Sequence, residues 1–154
     1  MGIVYSDMDV PEDSLVSHSL FLAGPTPRSF ETPSWRPEAL EILSSINYNG
    51  MVFVPERRNW KTLPSYTHQV EWEERAIAYC KVLVFWVPRR MDIMPGLTTN
   101  VEFGRWIMKK PKSISYGRPD DAEHCRYLDW IFLKETGKTP ERMLKETLTK
   151  AINQ

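Results

Sequence analysis

The chain of 154 residues contains only two cysteines, Cys80 and Cys125, and their spacing is not that of metal ligands. Two thiols are too few for a disulfide framework and favour a reducing compartment. The histidines His18, His68 and His124 are scattered along the sequence, so they form no metal-binding pattern either. We therefore predict no metal site and no cofactor.

Long apolar runs and an excess of charge of one sign are also lacking. No run approaches the roughly eighteen residues that span a bilayer, and the N-terminal region is acidic where a signal peptide is basic and then apolar. Twenty basic and twenty acidic residues give a formal net charge of zero, which argues against duplex nucleic acid as a partner. We expect a soluble, cytoplasmic protein with no membrane partner.

Several familiar site motifs are absent. There is no G-x-G-x-x-G and no P-loop, which argues against a standard dinucleotide or NTP site. No serine or cysteine lies in a nucleophile-elbow motif, and Cys80 lies on an apolar helix stripe, so we expect it in the core. The length is most simply that of one domain, residues 1–154, with a polar lead-in at residues 1–14.

What the sequence does contain is an alternation of strand and helix patterns. Ser34 is the predicted N-cap of the first helix, whose apolar face is Ala39, Ile42, Leu43 and Ile46. Strands are predicted at residues 16–23, 51–54, 82–87 and 113–116, and further helices at residues 66–80, 98–108, 121–134 and 140–152. The unbroken apolar run at 82–87 is typical of a parallel strand covered by helices on both faces. The pattern begins as a βαβ unit.

Glu102 follows this buried strand, after a turn at Pro95 and Gly96. With Thr98 or Thr99 as the cap, and Val101, Trp106 and Ile107 at helical spacing, Glu102 lies in the first helical turn beyond the carboxyl end of a central strand. Ligands bind there in open α/β sheets. A structural alternative is a capping box, Thr99-x-x-Glu102, in which the glutamate bonds to the backbone.

A second carboxylate favours chemistry over capping. Glu73 shares a helical stripe with the apolar residues Val70, Ile77 and Cys80. A carboxylate on the buried face of a helix is costly unless it is paired or functional. Two acids from neighbouring elements near one strand end indicate acid–base chemistry.

Four segments carry a resemblance to a known family: residues 21–25 (FLAGP), 69–73 (QVEWE), 85–88 (FWVP) and, most specifically, 96–104 (GLTTNVEFG). Over roughly residues 19–128 the chain resembles the nucleoside 2-deoxyribosyltransferase-like family. The resemblance implies a three-layer flavodoxin-like or Rossmann-like α/β fold, with a mostly parallel sheet of four to five strands and helices on both faces. It also implies a homo-oligomer that cleaves the N-glycosidic bond of a nucleoside or nucleotide.

The resemblance implies roles for individual residues as well. The nucleophilic glutamate of the family's E-[LF]-G motif falls on Glu102, and its helix-borne acid, usually an aspartate, falls on Glu73, with Glu71 as the competing assignment. Family members often carry a tyrosine where this chain has Phe21, so Tyr116 or a partner subunit could supply that hydroxyl.

The implied reaction is a double displacement. Glu102 attacks the anomeric carbon and forms a sugar ester, while Glu73 protonates the departing base; in retaining glycosidases the two carboxyl groups lie about 5–5.5 Å apart. Acid catalysis near neutral pH requires a raised pKa, which burial of Glu73 would supply.

Candidate substrate-binding residues surround these acids. Backbone N–H groups at residues 98–100 could hold a sugar hydroxyl or a 5′-phosphate, and a tryptophan at 35, 60 or 86 could stack on a base or lie in the core. Arg89 and Arg90 either add positive charge for a nucleotide or belong to a solvated loop. The predicted binding residues are Gly24, Pro25, Thr26, Arg28, Trp86, Thr98, Thr99, Asn100 and Tyr116.

Three functions remain open at this point. A transferase passes the sugar to a second base, a hydrolase passes it to water, and a non-catalytic nucleotide-binding module uses Glu102 only as a cap. The expected partners are a small-molecule nucleoside or nucleotide and a free base.

Overall fold

The computed structural model describes residues 1–11, 18–58 and 65–154. Within these residues, five parallel strands form one sheet in the order β1-β3-β2-β4-β5. The strands are β1 Gly2–Tyr5, β2 Ser19–Ala23, β3 Met51–Val54, β4 Val82–Trp86 and β5 Ile114–Gly117. The helices are α1 Arg36–Ser45, α2 Tyr66–Tyr79, α3 Leu97–Lys109, α4 Arg126–Thr136 and α5 Leu144–Ile152, and a short 3-10 turn, Pro111–Ser113, precedes β5.

The sheet is covered on both faces, which explains why its central strands are apolar throughout. Every residue of β2 and β4 is buried. Alternate side chains of these strands enter two separate cores: Phe21 packs with residues of α2, α3 and α4, and Leu22 packs with residues of α1 and α5. This arrangement confirms the predicted three-layer α/β fold.

The strand order places a topological switch point beside β2. From β2 the chain passes through α1 to β3 on one side, and from β3 it crosses through α2 to β4 on the other side of β2. The loops after β2 and β4 therefore lead to helices on opposite faces of the sheet. Such a point opens a crevice at the carboxyl ends of the strands, where ligands bind in this class of fold.

The predicted polar lead-in is wrong for its first residues, because β1 pairs in parallel with β3, with Gly2 opposite Met51 and Tyr5 opposite Val54. Four residues followed by an acidic stretch give a weak strand pattern, and it is pairing with a distant strand that stabilises this edge. Residues 12–14 of the lead-in, Val16 of the first predicted strand, and Trp60 lie outside the described residues.

The last two helices begin later than predicted. The segment before α4 forms turns that are tied to the loop after β4, with the Arg89 guanidinium donating to the His124 carbonyl. Before α5, Glu141 exchanges backbone hydrogen bonds with Tyr116 and Arg118 at the end of β5. Because these tertiary bonds occupy the backbone, the helices start at Arg126 and Leu144.

Candidate active site

The start of α3 excludes the capping box. Gly96 occupies the N-cap in the left-handed region, with φ of 56°, and no side chain among the described residues caps the helix. Thr98 and Thr99 therefore lie inside the first turn, and Glu102 lies in the second turn rather than the first. The alternative in which Glu102 serves only to cap the helix is wrong.

Aromatic packing fixes the rotation of α3. Phe103 is fully buried, and its ring centroid lies 4.9 Å from those of both Phe85 and Tyr116. The predicted core position Val101 is instead 71% exposed. With Phe103 seated on the sheet, the adjoining Glu102 lines a cavity at the carboxyl end of β2.

Trp72 fixes α2 in a similar way. Its indole Nε1 donates to the Met8 carbonyl at 2.8 Å, and its ring packs near Phe21 and Phe53. The neighbouring Glu73 is partly buried at the edge of this packed face and lines the same cavity as Glu102.

The predicted stripe on α2 was partly wrong. Ile77 and Cys80 are buried as expected. Val70 is 38% exposed, because the buried Trp72 determines which face of α2 packs against the sheet. The competing acid Glu71 is exposed and does not line the cavity.

The cavity that receives both acids measures about 280 Å³, near the lower end of the range for ligand pockets. We call it the central cavity. It brings together the predicted residues Gly24, Thr26, Arg28, Glu73, Thr98, Thr99 and Glu102, and its other lining residues are Phe21, Ala23, Arg36, Pro55, Pro95, Gly96 and Leu97.

Gly24 allows the wall of this cavity to form. Its φ is 147°, and a Cβ at this position would lie 2.1 Å from the Trp86 carbonyl oxygen. Only glycine permits the loop after β2 to pass so close to the end of β4. Pro25 supports the wall from behind, next to Gly96, and does not line the cavity.

The fixed cation at this site is Arg36, which the sequence analysis missed. Its side chain is 1% exposed, and Nη1 lies 2.6 Å from Glu56 Oε1. Nη2 donates to the Gly24 carbonyl at 2.8 Å, and Nη1 donates to Thr26 Oγ1 at 3.2 Å. A cation in the first turn of a helix is opposed by the helix dipole, so its position before Pro37 was a usable sign of an anionic partner.

The two acids share an environment that favours protonation. Burial, followed by the nearby Glu73 charge, raises the pKa of Glu102 to about 7, and Arg36 opposes this rise. Burial also raises the pKa of Glu73, against a hydrogen bond of 2.7 Å from Gln69 Nε2 and the attraction of Arg36. The direction predicted for Glu73 is therefore found. Near neutral pH the pair can hold one proton, which provides one acid and one carboxylate.

Comparison with known proteins identifies the family. A family profile described as "nucleoside 2-deoxyribosyltransferase like" matches residues 17–119, more than half of the chain. The chain belongs to this family. The match spans β2, α2 and α3, and so includes Glu73 and Glu102. No curated protein matches the chain significantly. Membership in this family indicates glycosyl transfer like that of nucleoside 2-deoxyribosyltransferases, with nucleoside-type small molecules as substrates.

Three residues predicted for the site of this family member lie elsewhere. Trp86 belongs to the core on the α1 and α5 face. Asn100 Oδ1 accepts a hydrogen bond of 2.5 Å from Arg89. Tyr116 is buried in the other core, and its hydroxyl donates to Asp129 at 2.9 Å, so it cannot replace the hydroxyl expected at Phe21.

The two arginines after β4 differ from each other: Arg89 fits neither interpretation of the sequence, whereas Arg90 fits the solvated loop. Arg89 is 1% exposed and braces the loop through the carbonyls of His124 and Gly96. Arg90 is exposed and lies 4.0 Å from Asp92. Neither lines the central cavity. Trp35 is likewise structural, since it is buried and donates to the Pro25 carbonyl.

Other chemistries have little support in the described part of the chain. There, no group of three or more His, Cys, Asp and Glu side chains is arranged to hold a metal ion. Cys80 is in the core as predicted, and burial raises its pKa to about 12, which disfavours a thiolate. Within the same described residues, no helix combines the length and apolarity of a membrane span.

Proposed function

We propose that this protein cleaves the N-glycosidic bond of a deoxynucleoside or nucleotide by double displacement and transfers the sugar to another base. One observation carries this proposal: two partly buried carboxylates from successive β–α units line one cavity, which the buried Arg36 also lines. Protonation of one carboxyl and ionisation of the other is the state that such a reaction needs.

In the first step the ionised Glu102 attacks the anomeric carbon. The bond between this carbon and the base nitrogen breaks, and Glu73 gives its proton to that nitrogen. In the second step the acceptor base loses a proton to Glu73, its nitrogen bonds to the anomeric carbon, and Glu102 departs. We propose that the carboxyl groups lie about 5–5.5 Å apart during this reaction, as in retaining glycosidases.

The start of α3 is suited to the sugar. The first N–H groups of a helix lack intrahelical acceptors, and in the described part of the chain no side chain caps those of α3. Leu97, Thr98 and Thr99 all line the central cavity beside Glu102. These groups are positioned to hold a sugar hydroxyl or a 5′-phosphate next to the nucleophile.

Product analysis tests the proposal. The purified protein is incubated with deoxynucleosides, ribonucleosides and their 5′-monophosphates, with and without an isotopically labelled free base. We expect the label to enter the nucleoside pool. Release of free sugar without exchange would identify water as the acceptor, and binding without cleavage of any compound would overturn the proposal in favour of a non-catalytic module. Glu102→Gln serves as the inactive control.

A further inference from the structure

Two more cavities continue the central cavity along the carboxyl edge of the sheet toward β1. The first, which we call the side cavity, measures about 220 Å³, shares Thr26, Pro55 and Glu73 with the central cavity, and adds Ser6, Arg57 and Gln69. The second, which we call the arginine cavity, measures about 400 Å³. Glu56 and Arg57 line both of these outer cavities, so all three follow one another.

If the proposed function holds, the positions of the two acids indicate which cavity holds the sugar and which holds the base. Glu102 lines the central cavity but not the side cavity, whereas Glu73 lines both. The sugar is bonded to the nucleophile, and the acid must reach the nitrogen of the departing base. The sugar therefore lies in the central cavity on the side of Glu102, and the departing base extends from Glu73 toward the side cavity.

The far end of this path is positively charged. The arginine cavity is lined by Arg28, Arg57 and Arg58 and by one carboxylate, Glu56, which is already held by the buried Arg36. At the exposed edge, Arg58 lies 3.4 Å from Asp7. Arg28 is exposed, also lines the central cavity, and makes no ion pair within the described ranges of the chain. Guanidinium groups bind carboxylates and phosphates in a planar, bidentate manner.

A second observation points to a ligand in the side cavity. Ser6 is fully buried, and its Oγ has no hydrogen-bond partner within the part of the chain that the structure describes. Buried hydroxyl groups are normally hydrogen-bonded, since an unsatisfied one costs free energy. Ser6 lines the side cavity together with Glu73 and Arg57, and a polar atom of a base bound there would satisfy its hydroxyl.

We propose that the side and arginine cavities form an anion-binding base site, so that the preferred leaving and accepting bases carry a carboxylate that pairs with Arg57 and Arg28. A neutral base would fill the side cavity but place no negative charge beside Arg28, which makes no ion pair within the described ranges, or beside Arg57, which lines both outer cavities. The same charge could serve a 5′-phosphate, and the test separates the two sources of negative charge.

The test compares two substrates of nearly equal shape, 5-carboxy-2′-deoxyuridine and 5-carbamoyl-2′-deoxyuridine. In the wild type we expect kcat/KM to favour the carboxylate by about tenfold or more, the effect of one charge-assisted contact. In Arg57→Gln the carboxylate-to-carboxamide ratio of kcat/KM should fall to about the value expected from the different leaving abilities of the two bases alone. Arg57→Lys should restore part of the preference for the carboxylate. Arg75→Gln, at an exposed position of the helix that carries Glu73, should keep the wild-type ratio.

Binding of the free bases separates this inference from the proposed function. Titration calorimetry with 5-carboxyuracil and uracil-5-carboxamide requires no turnover. A preference for the carboxylate that Arg57→Gln abolishes supports the base site even if no nucleoside is cleaved. Equal binding of both bases, together with cleavage of nucleosides, overturns the base site and leaves the proposed function intact.

A third comparison uses 2′-deoxyuridine and its 5′-monophosphate. If Arg57→Gln lowers kcat/KM for the monophosphate and leaves the carboxylate-to-carboxamide ratio unchanged, the arginines serve the phosphate and the base-site proposal is wrong. If the monophosphate and the unphosphorylated nucleoside respond equally to Arg57→Gln while the carboxylate preference is lost, the proposal is supported.

Discussion

Nη1 of Arg36 lies 2.6 Å from Oε1 of Glu56, and the two side chains are only 1% and 11% exposed. This ion pair joins the start of α1 to the residues that follow β3, and Arg36 lines the central cavity. Arg36 also donates to the carbonyls of Leu22 and Gly24 at the end of β2. One side chain therefore fixes the loop of the site and places a positive charge beneath its two acids.

Loss of this cation should destabilise the fold. Arg36→Met leaves the Glu56 carboxylate buried without its partner, which we expect to cost about 3–5 kcal/mol in the free energy of unfolding. Arg36→Met/Glu56→Met removes both charges and should recover most of that loss. Chemical denaturation of the two variants measures the difference. Equal destabilisation of the single and double variants would contradict a role for the ion pair.

A pH profile of the double variant isolates the electrostatic role of Arg36. The positive charge of Arg36 lowers the pKa of Glu102, so its removal should raise that pKa and move the rising limb of kcat/KM to higher pH. If Arg36 had only a structural role, the double variant would be less active but the rising limb of its pH profile would stay at the wild-type pH.

Glu102→Gln should abolish turnover, because the amide cannot form the sugar ester. We expect kcat to fall by about 10³-fold or more. The matched control is Glu71→Gln, which changes an exposed glutamate outside the cavity and should retain activity. If Glu102→Gln kept more than about a tenth of the wild-type rate, another group would be the nucleophile.

A covalent sugar should be trapped on Glu102. A 2-fluoro-2-deoxy nucleoside slows both formation and breakdown of the ester, so the intermediate accumulates. Intact-mass spectrometry should show the added sugar, and peptide mapping should place it in α3. An unmodified protein that still turns over the natural substrate would indicate direct displacement by the acceptor.

The raised pKa of Glu102 predicts a pH-dependent gain of stability in Glu102→Gln. Below about pH 4.3, the ordinary pKa of a glutamate, the carboxyl is protonated in the folded and unfolded states and contributes nothing. As the pH rises toward 7, the unfolded chain releases the proton while the folded protein keeps it, so the wild type loses stability. At pH 8 the variant should be more stable by about 2 kcal/mol, and at pH 4 it should equal the wild type. A pH-independent difference in melting temperature would contradict burial of this carboxyl.

Glu73→Gln should slow cleavage most for bases that leave poorly. Such bases depend on protonation, whereas a base that leaves readily needs little help from an acid. The comparison uses one substrate of each kind, with Glu71→Gln on the same helix as the control. Equal slowing for both substrates, with a large drop in melting temperature, would make Glu73 a structural residue.

The layers of the fold and the location of the acids followed from sequence because they depend on local pattern. Unbroken apolar residues in β2 and β4 specify buried parallel strands, and the elements after them must lie at the carboxyl edge. Glu102 was located in this way, whereas Glu73 was chosen because it shares a helix stripe with the apolar residues Ile77 and Cys80. Both acids line the central cavity. The homo-oligomer implied by the resemblance stays a prediction.

What the sequence did not predict depends on contacts between distant segments. The α2 sequence offers two apolar sides, and only the bond from Trp72 to Met8 selects the buried one. Arg36 becomes recognisable as a buried cation only when Glu56 is brought beside it. Asn100 and Tyr116 are polar residues near the predicted site, but Arg89 and Asp129 hold their side chains elsewhere.

The parallel sheet also sets the order in which this site can assemble. The central strand β2 has no sequence-local partner: Ser19 pairs with Met51, and Leu20 pairs with Val82. Pairings between such distant residues form slowly, because long segments of chain must be ordered before any contact compensates for them. On a ribosome, the segment that carries Arg36 emerges well before β4 and α3 can complete the cavity. The growing chain therefore exposes an unpaired edge of β2 until residues near 82 are made, and this interval is when a chaperone would be needed most.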